Sequence, residues 1–191
     1  GNVETLRQIG DELGLSVDVV SPITAGETPV SSTRIRTALQ DGDVESARIG
    51  LGRPYCVRGL VVRGDGRGRQ LGFPTANLFV PVNGKLIPPS GVYAVQGCLK
   101  RGVFDGAIHI GPRPTFTGSR PTIELHLLDF EGDIYGEEVR VEFIRRLREV
   151  RPFASASALV EQLRYDVEAA RAALVYDRNK AGGVEGDGPT R

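Results

Sequence analysis

The sequence predicts a mainly β protein, an antiparallel barrel or sandwich, with a long helix at the end of the domain. From Arg53 onward, short β-branched runs such as YCVRGLVVRG, GVYAVQGCL and GVFDGAIHIG follow one another between turns rich in Gly and Pro. No helical pattern separates these runs, which is typical of antiparallel sheets. Near the end, one apolar stripe predicts an amphipathic helix; it consists of Leu159, Leu163, Val167, Ala170 and Leu174.

One predicted strand, TIELHLLDF, carries charged residues on one of its two faces. Ile123, Leu125 and Leu127 alternate on the first face, whereas Glu124 and His126 begin the second. The later segment EVRVEFIRRL alternates in the same way. We therefore expect both segments to bury one face in a core and to present polar groups on the other.

The first fifty residues have a different pattern, in which helix and strand alternate. VETLRQIGDELGL has the apolar spacing of a helix, and SVDVV predicts a short strand. Ser31 or Ser32 is a candidate N-cap for the next helix. A third helix is predicted with Asp43 as its N-cap and Gly52 as its end. This alternation is typical of an α/β domain, and fifty residues are too few to form a whole one.

These patterns divide the chain into three parts. We expect residues 1–50 to be the end of an α/β domain and residues 51–177 to form the β domain with its closing helix. Residues 178–191 have almost no apolar content, so we expect a disordered tail there.

The bulk composition excludes several classes of protein. The 191 residues include 24 basic and 24 acidic ones, so the net positive field of a nucleic-acid-binding protein is absent. No apolar run reaches the roughly 18 residues of a membrane span. Cys56 and Cys98 do not form a CxxC pair, and we expect them to be reduced, buried thiols. The composition thus indicates a cytoplasmic protein without nucleic-acid or membrane partners.

The segment VVRGDGRGRQLGFPTANL has the glycine density of a phosphate-binding loop. Gly64, Gly66 and Gly68 alternate, and glycine lets the backbone approach a ligand closely. Arg67 and Arg69 add forked donors that suit phosphate oxygens. A Walker loop would need Gly-Lys-Ser/Thr at the start of a helix, and a dinucleotide fingerprint would need a βαβ unit. The alternative is a mobile hairpin tip with solvated arginines.

The second half of this segment, FPTANL, offers two oxygen-bearing side chains. Pro74 fixes its own φ and favours extended geometry at Phe73. Thr75 and Asn77 are two residues apart, so their side chains point the same way in an extended chain. A hydroxyl and an amide oxygen are ligands that Mg²⁺ accepts when phosphate and water fill the rest of its shell. The alternative is an ordinary turn with side-chain caps.

Five blocks of this sequence, in order, resemble the riboflavin kinases, above all the kinase module of bacterial bifunctional FAD synthetases. They extend from about Gly52 to Leu174 and read GRGRQLGFPTANL, PPSGVYA, IGPRPTF, IELHLLDFEGDIYGEEVRVEFIRRLR and LVEQLRYDVEAARAAL. The resemblance implies a six-stranded antiparallel Greek-key barrel with a C-terminal helix packed outside it. It also implies ATP-dependent phosphorylation of the 5′-hydroxyl of riboflavin, giving FMN and ADP.

The segment SSTRIRTALQDGDVESARIGLGRPY is similar to the end of the adenylyltransferase module of the same bifunctional enzymes. That module also needs a histidine motif near its own N-terminus. The histidines of this sequence are His109 and His126, both in the β region. We therefore expect residues 1–50 to be a remnant of a nucleotidylyltransferase-like domain without FMN adenylyltransferase activity.

The resemblance assigns roles to individual residues. Glu124 matches the catalytic glutamate and would act as the general base that deprotonates the alcohol. Thr75 and Asn77 would hold Mg²⁺, the cofactor that accompanies ATP. Arg148 and Phe153, in LREVRPF, would contact the flavin. The nucleotide-binding set would be Gly64, Gly66, Gly68, Arg69, Phe73, Thr75 and Asn77.

Each of these roles has a structural alternative. Glu124 could instead pair with an arginine on a neighbouring strand. Arg148 could be a solvated charge, and Phe153 could anchor the last helix to the core. Small Greek-key barrels also include oligonucleotide binders, but the aromatic residues are too scattered to support that function. His109 departs from the family pattern, in which many members carry asparagine, and we expect no metal site with His126.

Overall fold

Six antiparallel strands form a closed barrel in the computed structural model, which describes residues 2–26, 28–64, 66–81, 85–111 and 121–182. The strands are β3 (Tyr55–Val62), β4 (Ala76–Phe79), β5 (Gly91–Leu99), β6 (Gly102–Ile110), β7 (Ile123–Leu127) and β8 (Glu138–Arg148). Their order is β3-β4-β7-β6-β5-β8, and β8 closes the barrel on β3. Because β5, β6 and β7 are consecutive neighbours and β8 returns beside β5, the predicted Greek key is confirmed.

The barrel interior is filled by one face of each strand. Ile123, Leu125 and Leu127 of β7 are buried there, together with Tyr93 and Phe143, whose rings meet edge to face with centroids 5.5 Å apart. The intervening side chains of β7 are only half-buried and lie on the outer face. The predicted alternation of this strand is therefore confirmed.

The closing helix, α5 (Ala156–Gly182), packs on the outer face of the barrel. Ala170 and Leu174 are buried against Ala94 and Ala107, whose small side chains let the helix approach the sheet closely. The helix extends past residue 177, where the sequence analysis placed the start of a disordered tail. Arg178 explains part of the difference, because its guanidinium donates to both carboxylate oxygens of Asp105 on β6 at 2.8 Å. The rest of the expected tail, residues 183–191, lies outside the described residues.

Two short helices, α2 (Ser32–Asp41) and α3 (Val44–Leu51), precede the barrel. The predicted cap of α3 is confirmed, because the Asp43 carboxylate accepts from the backbone N–H of Ser46 at 2.9 Å. Its predicted end is also confirmed: Gly52 has a φ of 69°, a left-handed conformation that glycine adopts without strain.

Both helices belong to the barrel unit, although the sequence analysis placed a boundary at residue 50. Leu39, Val44 and Ala47 are buried in the same cluster as the barrel interior. Accordingly, the structure divides the chain between Ser31 and Ser32. A change of pattern along the sequence marked where strands begin, but burial of these helical side chains decides where the folded unit begins.

Residues 1–31 form a separate small unit. It contains α1 (Val3–Leu13) and a hairpin of two-residue strands, β1 (Thr24–Ala25) and β2 (Thr28–Pro29). The Asn2 side chain caps α1 by accepting from the Thr5 N–H at 2.9 Å. The strand predicted at SVDVV is wrong, because residues 16–20 have no strand pairing in the structure.

Cys56 and Cys98 are free thiols, and both are half-buried rather than buried as expected. Each occupies a position of its strand that alternates with the buried ones. Within the described residues, no helix is both long enough and apolar enough to span a membrane.

Candidate active site

A row of side chains crosses the outer face of the barrel and brings predicted site residues together. Strand pairing places Asn77 opposite Glu124, Glu124 opposite His109, His109 opposite Val92, and Val92 opposite Arg148. Directly opposed residues of antiparallel strands share one face of the sheet. Three residues that the sequence analysis assigned separately to metal, base and flavin therefore lie in one row.

Glu124 is held by a residue of the FPTANL segment. The Thr75 hydroxyl donates to a carboxylate oxygen of Glu124 across 3.3 Å, in a half-buried setting. None of the ion pairs among the described residues includes Glu124, so the alternative of a structural arginine pair finds no support. Likewise, no cluster of three or more metal-binding His, Cys, Asp or Glu side chains exists in the described part of the chain.

His126 fastens the same segment to β7. Its Nδ1 lies 2.7 Å from the carbonyl oxygen of Pro74, and a carbonyl only accepts, so Nδ1 carries the proton. The Phe73 ring meets the imidazole edge to face, with centroids 6.0 Å apart. Sequence reasoning placed His126 on the Glu124 face but missed this positioning role, which depends on a loop 52 residues away.

Two glycines of the loop, Gly64 and Gly68, pack against the FPTANL segment. A Cβ at Gly64 would fall 1.8 Å from the Asn77 amide nitrogen, and one at Gly68 would fall 2.3 Å from the Phe73 carbonyl oxygen. Gly66 has a φ of 69° and open space around it. The loop also contains one helical turn, α4 (Arg67–Gln70), which the sequence analysis did not predict. Close approach by glycine thus brings the loop backbone onto Asn77 and the FPTANL segment.

Two clefts meet at Thr75. The first, here called the helix cleft, has a volume of about 280 Å³ and lies between the strand row and α5. Its walls include Thr75, Glu124, His109 and Arg148, together with an apolar side formed by Val92, Phe153, Leu159, Leu163 and Val167. The second, here called the loop cleft, has a volume of about 320 Å³, and its walls include Arg69, Thr75, Phe130 and Tyr135.

The other predicted nucleotide residues are placed unevenly. Gly68 and Phe73 line the helix cleft, whereas Arg69 is exposed and lines the loop cleft. Asn77 lines a separate, smaller cavity of about 190 Å³, which shares no lining residue with either cleft. Of the residues assigned to the nucleotide, Thr75 is the one shared by both clefts.

Arg148 is committed to a buried ion pair. Its Nε and Nη2 donate to the two carboxylate oxygens of Asp166 at 2.7 and 2.6 Å, and Nη1 donates to the Glu149 carbonyl at 2.9 Å. Asp166 is only 5% exposed, and Gln162 donates to it at 2.8 Å. The interpretation of Arg148 as a solvated charge is therefore wrong, and its donors are not free for phosphate.

Phe153 lines the helix cleft below two guanidinium groups. The guanidinium carbons of Arg148 and Arg151 lie 5.8 and 5.4 Å from the centre of its ring. This stacking holds the loop after β8 against the cleft. Sequence reasoning found Phe153 and Arg148 but missed Asp166, since an acidic residue on an amphipathic helix carries no signal that it is buried.

His109 is the titratable group beside Glu124 in the row. Burial lowers the pKa of the His109 imidazole below its ordinary value of 6.5. Glu124 acts in the opposite direction and raises this pKa, while Arg148 lowers it and Asp166 raises it. Arg148 and Asp166 form an ion pair, and their charges act on the His109 imidazole in opposite directions. The imidazole is therefore neutral at pH 7.

Comparison with known proteins agrees with this architecture. A family model described as riboflavin kinase (flavokinase) matches residues 51–174. The bifunctional riboflavin kinase/FMN adenylyltransferase of Bacillus subtilis is 40% identical over 171 residues, which are 87% of this chain and 54% of that protein. The Escherichia coli K12 protein of the same name is 38% identical over 172 residues, 90% of this chain and 54% of that one. This chain thus spans about half the length of the curated relatives that it matches.

Solved structures show the same fold. Riboflavin kinase from Trypanosoma brucei superposes with a TM-score of 0.52 and 27% identity, covering 72% of this chain and 89% of that one. A Streptococcus pneumoniae crystal structure described as a macrolide-efflux protein gives a TM-score of 0.79 at 38% identity, covering 86% of this chain and 54% of that one. The matched barrel contains the strand row and both clefts. On the strength of the family match over residues 51–174, the chain belongs to the riboflavin kinase family.

Proposed function

We propose that this chain transfers the γ-phosphoryl group of ATP to the ribityl 5′-hydroxyl of riboflavin, giving FMN and ADP. The observation that carries the proposal is the hydrogen bond between Thr75 and Glu124 at the junction of two clefts. A transferase needs two substrate sites that meet at the reacting groups. Membership of the riboflavin kinase family supports this reaction.

The helix cleft suits the flavin. A tricyclic ring needs an apolar slot with a few polar contacts, and Phe153, Leu163 and Val167 supply the apolar wall. Glu124 lies in the same cleft, so a ring held against α5 would direct its ribityl chain toward the carboxylate. Arg148 contributes by holding the loop that carries Phe153, through its ion pair with Asp166.

The loop cleft suits the nucleotide. Phe130 and Tyr135 offer aromatic surface to a base, and Arg69 supplies a cation on the side that Thr75 shares. The glycine loop lies next to this side, where its backbone N–H groups can contact phosphate oxygens. In this arrangement the terminal phosphoryl group lies at Thr75, between the two clefts.

The side chains of Thr75 and Asn77 fit a magnesium ion that accompanies ATP. Both supply neutral, hard oxygens, and the missing Cβ of Gly64 makes the room that the Asn77 amide occupies. Mg²⁺ neutralises charge on the β- and γ-phosphates in reactions of this class. The proposed roles of Thr75 and Asn77 are to bind this ion on the nucleotide side of Glu124.

Glu124 would act on the alcohol. Its carboxylate accepts the proton of the 5′-hydroxyl, the alcohol oxygen forms a bond to the γ-phosphorus, and the bond to the ADP oxygen breaks. The Thr75 hydroxyl holds the carboxylate in place meanwhile. A general base of this kind contributes roughly 10²–10⁴-fold to the rate.

The test is FMN formation from riboflavin, ATP and Mg²⁺, followed by chromatography. Glu124→Gln should bind riboflavin but lower kcat by about 10²–10⁴-fold. Glu142→Gln is the matched control, since Glu142 is also a half-buried strand glutamate but pairs with Arg140 away from both clefts. Folded protein that makes no FMN would refute the proposed reaction, and an unimpaired Glu124→Gln variant would refute the proposed base.

The same reactions supplied with FMN and ATP test a second expectation. We propose that this chain does not form FAD, because the only histidines of the sequence lie in the barrel. FAD in that assay would contradict this. The expected cytoplasmic location, and the expected lack of nucleic-acid and membrane partners, stay predictions.

A further inference from the structure

The polar side chains that line the helix cleft are nearly all engaged within the protein. Thr75 donates to Glu124, and His126 donates to the Pro74 carbonyl. The guanidinium of Arg148 and the carboxylate of Asp166 bind each other, and Gln162 adds a further bond to Asp166. These bonds hold the walls of the cleft, and the proposed function already assigns Thr75 and Glu124 to Mg²⁺ and the 5′-hydroxyl.

His109 differs from them. It lines the helix cleft, yet neither ring nitrogen makes a hydrogen bond to any residue in the described part of the chain. Its backbone is fixed by strand pairing with Glu124 on one side and Val92 on the other. A neutral imidazole has one donor and one acceptor. The cleft therefore contains an unused hydrogen-bonding group on a rigid strand, next to Glu124.

The distance between His109 and Glu124 indicates which part of a bound flavin the His109 imidazole would contact. Neighbouring strands lie about 4.8 Å apart, so His109 is displaced by about one strand spacing from Glu124, toward Val92 and the apolar side. When the 5′-hydroxyl of riboflavin is bound at Glu124, the ribityl chain runs from there toward the apolar side of the cleft. The hydroxyls in the middle of that chain then lie about one strand spacing from Glu124, beside His109. A hydroxyl donates and accepts, which matches the neutral imidazole.

We propose that His109 is a specificity-determining residue that hydrogen-bonds the ribityl hydroxyls between the reacting end and the ring. This inference rests on the proposed function, because it uses riboflavin in the helix cleft as its starting point. A site that hydrogen-bonds a substrate hydroxyl rejects an analogue without it, because its own polar group is then left unpaired. The enzyme should accordingly select flavins that carry a polyhydroxylated chain.

The experiment compares riboflavin with 10-(5-hydroxypentyl)isoalloxazine carrying the same ring methyl groups. This analogue keeps the terminal hydroxyl but lacks the three others. The wild-type chain should phosphorylate riboflavin with the higher kcat/KM. His109→Leu and His109→Val should lower kcat/KM for riboflavin about three- to tenfold, the effect of one neutral hydrogen bond. Both variants should change the value for the analogue less than twofold.

His109→Asn is the conservative control, since an amide can also donate and accept, and it should retain most of the preference. Direct binding, measured by quenching of flavin fluorescence, should show the same pattern without turnover. Equal losses for both flavins would assign His109 a merely structural role and overturn the proposal, as would no loss for riboflavin. Wild-type protein that binds both flavins but phosphorylates neither would instead refute the proposed reaction.

Discussion

Substitution by alanine should have a different outcome at each of the loop positions Gly64, Gly66 and Gly68. At Gly64 the new Cβ would lie 1.8 Å from the Asn77 amide nitrogen and 2.5 Å from its Cγ. The backbone at Gly64 is not in the left-handed region, so the substitution causes no strain of its own. The end of the Asn77 side chain must therefore move. We expect this movement to weaken binding by the proposed metal ligand and to leave the stability of the fold nearly unchanged.

The expected magnitudes separate function from stability. Gly64→Ala should change the free energy of unfolding by less than about 1 kcal/mol, because alanine also lowers the entropy of the unfolded chain. Its apparent affinity for Mg²⁺ in the kinase assay should fall about 10- to 100-fold, as when a group that orients a ligand is lost. Thermal unfolding and a Mg²⁺ titration of FMN formation measure the two effects.

Gly66 and Gly68 are matched controls in the same loop. Gly66→Ala meets no atom but keeps a φ of 69°, so it should cost about 1 kcal/mol and lower the Tm by about 2–4 °C. Gly68→Ala would place its Cβ 2.3 Å from the Phe73 carbonyl oxygen, which is backbone, and 3.0 Å from the Thr75 hydroxyl. Both stability and activity should then fall.

A double mutant decides whether Gly64 acts through Asn77. In the Asn77→Ala background the amide is gone, so Gly64→Ala should cause almost no further loss of activity. If Gly64→Ala lowered activity by the same factor in both backgrounds, the glycine would act on the nucleotide by another route. The contact between the two residues would then have no catalytic meaning.

Two further predictions concern the helix α5 and its ion pairs. Asp166→Ala leaves the half-buried Arg148 guanidinium without its partner. It should lower the free energy of unfolding by about 3 kcal/mol and the Tm by about 6–12 °C. A Tm loss as small as that of Asp129→Ala, which removes an exposed ion pair, would contradict the importance of burial. The hydrogen bond from Arg171 holds the pKa of Asp129 below its ordinary 3.8, so its contribution to stability is present above that pH and is lost as the pH falls through the folded value. Asp129→Asn is the suitable variant, because asparagine tolerates the φ of 53° at this position. The Tm difference between wild type and Asp129→Asn should shrink below about pH 3.8. A difference that stays constant with pH would refute this.

Local patterns predicted the parts of the structure that depend on neighbouring residues in sequence. The alternation around Glu124 identified its face, and the Asp43 and Gly52 signals placed both ends of α3. The loop after β8, with Arg148 and Phe153, came instead from the resemblance to riboflavin kinases, and the flavin contacts of these two residues stay predictions. The alternation of apolar and polar residues and the helix caps are each recognisable within about ten consecutive residues of the sequence.

Contacts between distant segments could not be predicted in this way. Asp166 is buried because β8 delivers Arg148 beneath α5, and no pattern on the helix reports that. The bond from His126 to the Pro74 carbonyl and the burial of Leu39 also depend on strand pairing and helix packing. These features follow from the barrel topology, which sets which faces meet.

The row from Asn77 to Arg148 depends on strand register. If the pairing register of one strand shifted by one residue, the side chain that this strand contributes to the row would point into the barrel interior. Because the barrel is closed, the pairing on both sides of each strand opposes such a slip. The distances between neighbouring residues of the row are therefore as stable as the fold, and each position of the row stays fixed relative to the others. If His109 has its proposed role, a substitution there should change which flavin is accepted while the distances among the other groups stay the same.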